Sequence, residues 1–194
     1  MENRPNPTPK EIKNYVKKWE KSPEMRKYKL QEEILDFIFK NACRSNECWD
    51  SIFLKVSTLN KFYSTNIINT RAVADHVHSI KEFGFRVRKG DLNLVDDLSK
   101  VPGIEGRAFR SFASKYCSRY NPEKFPIYDN LVRGMLISYQ KKDNFHSAPF
   151  KGDDLKDYKF FCEVIRQFRK FYGLEKYTLK EIDRFLWQLG KENR

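Results

Sequence analysis

Along most of the chain, apolar residues recur every three or four positions, the spacing that gathers them on one face of a helix. Thr8-Pro9-Lys10-Glu11 is a helix start: a hydroxyl to cap the first amides, a proline at the first helical position and a glutamate to complete a capping box. The helix that follows carries Ile12, Tyr15, Val16 and Trp19 among Lys10, Lys13, Lys17, Lys18 and Lys21, which predicts a basic surface helix resting on the core through Trp19. Its charges fit a solvated face better than a nucleic-acid contact. Pro23 breaks the pattern. A second helix is expected with Leu30, Ile34, Phe37 and Ile38 inward, and a third, capped by Ser45, with Trp49, Ile52, Phe53, Val56 and Leu59.

A polar-aromatic connector, Phe62 to Asn66, leads to a helix predicted from Thr70 to Phe83, with Val73, Val77 and Ile80 inward and Gly84 as its stop. Phe83 to Arg88 alternates briefly like a strand, but has no partner strand. A short helix, Leu92 to Ser99, enters a tight turn at Val101. Arg107 to Tyr120 reads as a helix with Phe109, Phe112, Ala113 and Tyr116 on its apolar side, ended by Asn121-Pro122. Pro126 and Asp129 precede a helix carrying Leu131, Val132, Met135 and Leu136. The stretch from Lys141 to Asp154 reads as a mobile polar loop. Lys156 to Tyr172 is amphipathic, and Thr178-Leu179-Lys180-Glu181 is a second capping box opening a last helix through Ile182, Phe185, Leu186 and Leu189. The fold class is therefore all-α, with residues 1–22 as a basic N-terminal helix and 23–194 as the main helical domain.

Composition adds a partner. The chain has 194 residues and a formal net charge of +12, an excess of Lys and Arg that a fold does not need and a polyanion attracts. No apolar run is long enough to cross a membrane, and the N-terminus has no hydrophobic signal segment, so the cytoplasm is expected. Cys43, Cys48, Cys117 and Cys162 are then reduced thiols. A zinc site joining Cys43 and Cys48 to His76 or His78 is conceivable, but buried or half-buried small side chains are the better reading of the cysteines, and no metal or cofactor is expected.

The chemistry concentrates in Val101-Pro102-Gly103-Ile104-Glu105-Gly106-Arg107 and in Phe125-Pro126-Ile127-Tyr128-Asp129. Pro102 ends the preceding helix, and Gly103 and Gly106 allow positive φ and a close approach of backbone to ligand. A turn of this kind at a helix start offers amide N–H groups to a phosphate. Arg107, Arg110 and Lys115 add positive charge beside it, with Lys61 a further phosphate candidate. Asp129 reads first as a helix N-cap, a position that also holds a carboxylate rigid and ionised.

This segment resembles the helix–hairpin–helix motif of the DNA glycosylase superfamily that includes endonuclease III, the adenine glycosylase of mismatch repair, 8-oxoguanine glycosylase and the alkyladenine glycosylases. Residues 92–120 match the helix–hairpin–helix, with Gly103, Ile104 and Gly106 in the hairpin, and Asp129 matches the catalytic aspartate. The resemblance implies a two-lobed helical fold with a cleft between the lobes. It implies hydrolysis of the N-glycosidic bond of a damaged or modified base flipped out of double-stranded DNA, in base-excision repair or in defence against phage with modified DNA. The position of the Schiff-base lysine of bifunctional members reads Arg107, or Ala108 if Gly106 is taken as the second hairpin glycine, so the implied enzyme is monofunctional. The cysteines do not match the iron–sulfur loop of some members. Trp49, Tyr63, Asn66 and Tyr128 are the candidates for the base pocket, Tyr63 and Asn66 because they lie in a connector. A monomer is expected, and a non-catalytic DNA-binding protein that keeps the hairpin is the alternative.

Overall fold

The computed structural model describes residues 5–193, and these form helices and connecting turns with no strand. None of the helices is long and apolar enough to cross a membrane. The chain divides into two compact units, one of Met1–Lys29 with Tyr128–Arg194 and one of Leu30–Ile127. The first helix is thus part of a unit built with the C-terminal helices, and the units do not part at residue 22.

In the unit containing both ends of the chain, α1 (Pro9–Lys21) starts as the capping pattern requires, with the Thr8 hydroxyl accepting from the Glu11 amide at 3.3 Å. Ile12 and Trp19 are buried, and its lysines face outward or half outward. A short 3-10 turn, Pro23–Met25, follows. α8 (Asn130–Asp143), α9 (Tyr158–Phe171) and α10 (Leu179–Glu192) complete the unit. The second capping box is fully formed: Glu181 N–H donates to Thr178 Oγ1 at 3.2 Å and Thr178 N–H to Glu181 Oε2 at 2.8 Å. α1 and α10 run parallel, since Tyr177 Oη donates to the Pro9 carbonyl at one end and Lys18 pairs with Glu192 at the other.

The segment after α8 is not a loose polar loop. Asn144 turns the chain with a left-handed backbone, and Phe145, His146 and Phe150 are buried. The Gln140 side chain brackets His146 by donating to its carbonyl at 3.0 Å and accepting from its amide at 2.9 Å. Two phenylalanines in a run of polar residues were the local signal of this anchoring, since burying each stabilises by about 1.5–3 kcal/mol.

In the other unit, α2 (Arg26–Phe37, entering from residue 30) continues into a π-helical turn, Ile38–Ala42. The inward face of α2 differs from the expected one. Leu35, Ile38 and Phe39 are buried, while Leu30, Ile34 and Phe37 are exposed. The buried face meets α7, where Asp36 accepts from Arg119 at 2.8 Å and Phe39 packs edge-on against Tyr116 and Tyr120. α3 (Trp49–Tyr63) is preceded by Cys48 rather than capped by Ser45.

The predicted helix from Thr70 to Phe83 is two helices, α4 (Thr70–Ser79) and α5 (Phe83–Lys89). Ile80 is extended and Glu82 left-handed between them, and Gly90, not Gly84, is the glycine that closes α5 with a positive φ of 77°. The alternation at Phe83 to Arg88 is helical because Phe83 and Val87, four apart, are the buried pair. α6 (Asn93–Ser99) leads to the hairpin, and α7 (Arg110–Tyr120) leaves it.

Candidate nucleic-acid interface

The hairpin is built from two left-handed glycines. Gly103 has φ 76° and Gly106 φ 69°, and the Ile104 amide donates to the Val101 carbonyl at 3.1 Å to close the first turn. The Phe109 amide donates to the Ser99 carbonyl at 2.8 Å, fixing the outgoing arm to the end of α6. Val101 and Phe109 are buried and act as the feet of the hairpin, whereas Pro102, Gly103, Glu105, Gly106 and Arg107 are exposed. No atom lies within 4 Å of where a Cβ on either glycine would sit, so the turn faces open space. Residues 100–108 and Arg110 line a concavity of about 550 Å³ there.

The following helix begins at Arg110, three residues later than the sequence pattern indicates, and Arg107, Ala108 and Phe109 form a non-helical arm before it. Its N-cap, Phe109, supplies no side-chain hydrogen bond. Positive partial charge at the start of α7 is therefore not answered by a capping oxygen. Arg107 lies with its guanidinium 4.8 Å over the Phe109 ring and donates to the Thr65 carbonyl at 3.3 Å. That bond joins the hairpin arm to the connector after α3.

The connector is organised by Asn60, a residue the sequence pattern did not mark. Its side chain donates to the Ile67 carbonyl at 2.9 Å and accepts from Thr65 Oγ1 at 2.8 Å and from the Ile67 amide at 3.0 Å. Asn66 is exposed with a left-handed φ of 56°. Tyr63 closes α3 instead of standing in a loop. Its hydroxyl accepts from Arg119, and Lys115 Nζ lies 5.1 Å from its ring centre. Trp49 is half-buried on α3, its indole N–H donating to Asp75 at 2.7 Å and its ring stacked on Phe53 at 5.1 Å. Lys115 is only 4% exposed and donates to Ser111 Oγ at 2.6 Å, so it supports α7 from within. Arg110 and Arg107 are the two cations of the expected set that line the concavity.

Three buried cations in this unit went unnoticed in the sequence or were read as surface: Lys55, Lys115 and Arg119. Each occupies an apolar-stripe position. Lys55 lies between Ile52 and Leu59 on α3, and Lys115 and Arg119 follow Phe112 on α7. Lys55 is fully buried, donating to the Ser45 carbonyl at 2.5 Å and to Tyr120 Oη at 2.7 Å. Burial pulls its amine down to about 8. An unfolded lysine keeps its proton to a higher pH, so the unfolded chain binds more protons between pH 8 and the ordinary lysine range, and stability rises with pH across that window. Thermal unfolding of the wild type is expected at higher temperature at about pH 9 than at about pH 7, with that gain absent in Lys55→Met. An equal rise in the variant would assign it to other groups.

Cys117 and Cys162 are buried, Cys43 is half-buried and Cys48 is exposed. His76 Nε2 pairs with the Asp97 carbonyl at 2.8 Å and His78 Nε2 with the Glu47 carbonyl at 3.0 Å. Among the described residues no group of three or more metal-binding side chains gathers.

Asp129 and Tyr128 belong to the other unit, whose second segment starts at Tyr128. Asp129 is half-buried and is the N-cap of α8, its carboxylate accepting from the Leu131 amide at 2.9 Å. A carboxylate at this position is fixed in direction and stabilised by the helix dipole. Tyr128 is 7% exposed, packed edge-on to Phe161 at 5.2 Å with the Arg133 guanidinium 5.2 Å over its ring.

A family described as HI_0787_N, N-terminal domain, matches residues 11–124, a span that contains the hairpin and stops short of Asp129. An uncharacterized protein of Haemophilus influenzae is 45% identical over 134 residues, which cover 69% of this chain and 63% of that protein. The match thus spans less than two thirds of the relative's length. No solved structure matches. The family match covers more than half of the chain, and the chain belongs to the HI_0787_N family.

Proposed function

We propose that the protein is a monofunctional DNA glycosylase of the helix–hairpin–helix type. The observation that carries this reading is the hairpin: two exposed left-handed glycines, nothing in front of them, Arg107 and Arg110 beside them, and an uncapped helix start behind. Such a turn presents backbone amides to a phosphodiester without reading a base. The net charge of +12 supplies long-range attraction for the same partner.

In this reading the target nucleotide is flipped out of the duplex. As the base departs, positive charge develops on the sugar, and the Asp129 carboxylate stabilises it and orients or deprotonates the attacking water. The product is an abasic site. Asn66, with its amide at the surface of the connector, is the base-contact candidate whose side chain is exposed. Modified bases of phage DNA are substrates to include beside damaged bases.

Gly103→Ala combined with Gly106→Ala tests the grip. Positive φ costs an L-residue about 1–2 kcal/mol at each position, and the added methyls meet nothing that would disturb the fold. DNA affinity at fixed salt is expected to fall about tenfold or more, with a shallower salt dependence. Unchanged affinity would remove the hairpin from the interface. The reading as a non-catalytic DNA-binding protein is favoured by one fact, that the family match includes the hairpin and ends before Asp129.

A further inference from the structure

The outer face of α1 carries a row of lysines that the fold does not use. Lys10, Lys13, Lys17 and Lys21 recur at spacings of three, four and four residues, which sets them along one side of the helix. All four are exposed, and among the described residues none of them has an ion pair or a side-chain hydrogen bond. Lys18, off this row, is the α1 lysine that finds a carboxylate, Glu192 at 2.5 Å. Glu20 is the exposed acid of the helix, and it is turned to Lys29 at 2.7 Å and to Arg184 at 3.6 Å. The row is therefore positive along its whole length, and like charges at these spacings work against the helix that bears them.

A membrane surface, an acidic protein and a nucleic acid would each answer such a row, and the face around it selects among them. A helix that lies on a membrane sets apolar side chains beside its cations. A protein partner takes aromatic anchors, and lysine is depleted from such interfaces. Here Ile12 and Trp19 are buried and Tyr15 and Val16 half-buried, away from the row, and no exposed residue between Lys10 and Lys21 is apolar. The phosphate backbone of a nucleic acid asks only for cations at regular spacing. At about 1.5 Å of rise per residue the row is about 16 Å long, the length of about five phosphates of one strand at about 3.4 Å each.

We propose that this lysine row is a second nucleic-acid contact, which grips the phosphates of one strand without reading a base. It rests on the DNA partner of the proposed function, but uses neither the hairpin, which belongs to the other unit, nor Asp129. In the sequence these charges fit a solvated face. The exposure of all four ammonium groups, their want of partners and the polar face around them are what the structure adds.

The test is fluorescence anisotropy of the full chain on a labelled DNA duplex of about 25 base pairs, from about 50 to 300 mM KCl. Lys10→Gln, Lys13→Gln, Lys17→Gln and Lys21→Gln are made together, since glutamine keeps nearly the helix propensity of lysine. The slope of log affinity against log salt is expected to become shallower by about 2–4, and affinity at about 100 mM salt to fall about tenfold or more. A control with the same loss of charge takes four exposed lysines of the same unit, Lys151, Lys159, Lys170 and Lys176, to glutamine. It is expected to move the slope by less than about 1. Equal effects of the two sets would assign the loss to net charge, and an unchanged slope in the first set would leave the row to solvent. Either result overturns the proposal and leaves the DNA partner in place. The first set weakening binding to phosphatidylglycerol vesicles but not to DNA would assign the row to a membrane and also overturns it. A wild type without salt-dependent DNA binding would remove the DNA partner itself, and this contact with it.

Discussion

Asp129→Asn is expected, on the proposed glycosylase reading, to lower base release by about 10²- to 10⁴-fold while DNA affinity stays within about twofold, the loss that follows when a carboxylate stabilising developing charge and handling the attacking water is neutralised. The substitution separates chemistry from structure because asparagine caps a helix as well as aspartate does. The bond from the Leu131 amide, at 2.9 Å in the wild type, has an equivalent acceptor in the variant. Thermal unfolding is therefore expected to move little. Release measured under single-turnover conditions isolates the glycosidic step from product dissociation. Retained activity in a folded variant would leave Asp129 as a cap alone.

The second large effect concerns stability. Asp36→Ala removes the carboxylate at 2.8 Å from the Arg119 guanidinium, which is 7% exposed. Breaking a buried pair from one side leaves an uncompensated charge, and a cost of about 2–4 kcal/mol is expected, below the fully buried case because the Asp36 side chain is partly open to solvent. Arg119→Met removes the buried charge itself and leaves a carboxylate that water reaches, so it costs less. Equilibrium urea unfolding of the two variants checks the order. A larger loss for Arg119→Met would show that the bonds of Arg119 to Tyr63 Oη and the Glu32 carbonyl outweigh its ion pair.

Much of the helical order was legible because it rests on local chemistry. Thr8 and Thr178 mark helix starts by capping, and the stripe of Ile52, Val56 and Leu59 marks an inward face by period. The inward face of α2 was not legible, since Leu30, Ile34 and Phe37 have the right spacing and the face that is buried meets α7, with Asp36 bonded to a residue 83 positions away and Phe39 packed on Tyr116 and Tyr120. Lysines and arginine on apolar stripes were the available hint of buried cations, and they read as surface charge because that is where such residues usually lie. The break at Ile80 depends on Phe83 and Val87 finding the core together, which a short window does not show.

At the hairpin, the glycines were readable because positive φ is a property of single residues, and both have it. The late start of α7 was not, because Arg107 and Phe109 are compatible with a helix and are held out of it by the bond from Phe109 to Ser99 and by the reach of Arg107 to Thr65. The aromatic candidates divide for the same reason. Trp49 and Tyr63 have polar atoms that distant partners occupy, Asp75 and Arg119, and those partners are invisible in the local sequence.

The central claim is that this chain frees a base from DNA. Mass spectrometry of the free bases released from natural, damaged and phage-modified DNAs tests it most directly. The account predicts one kind of modified or damaged base in solution, with the DNA strand left uncut at the abasic site. No base released from any of these DNAs, by protein that binds them in a salt-dependent manner, would contradict it and leave a DNA-binding protein without this chemistry.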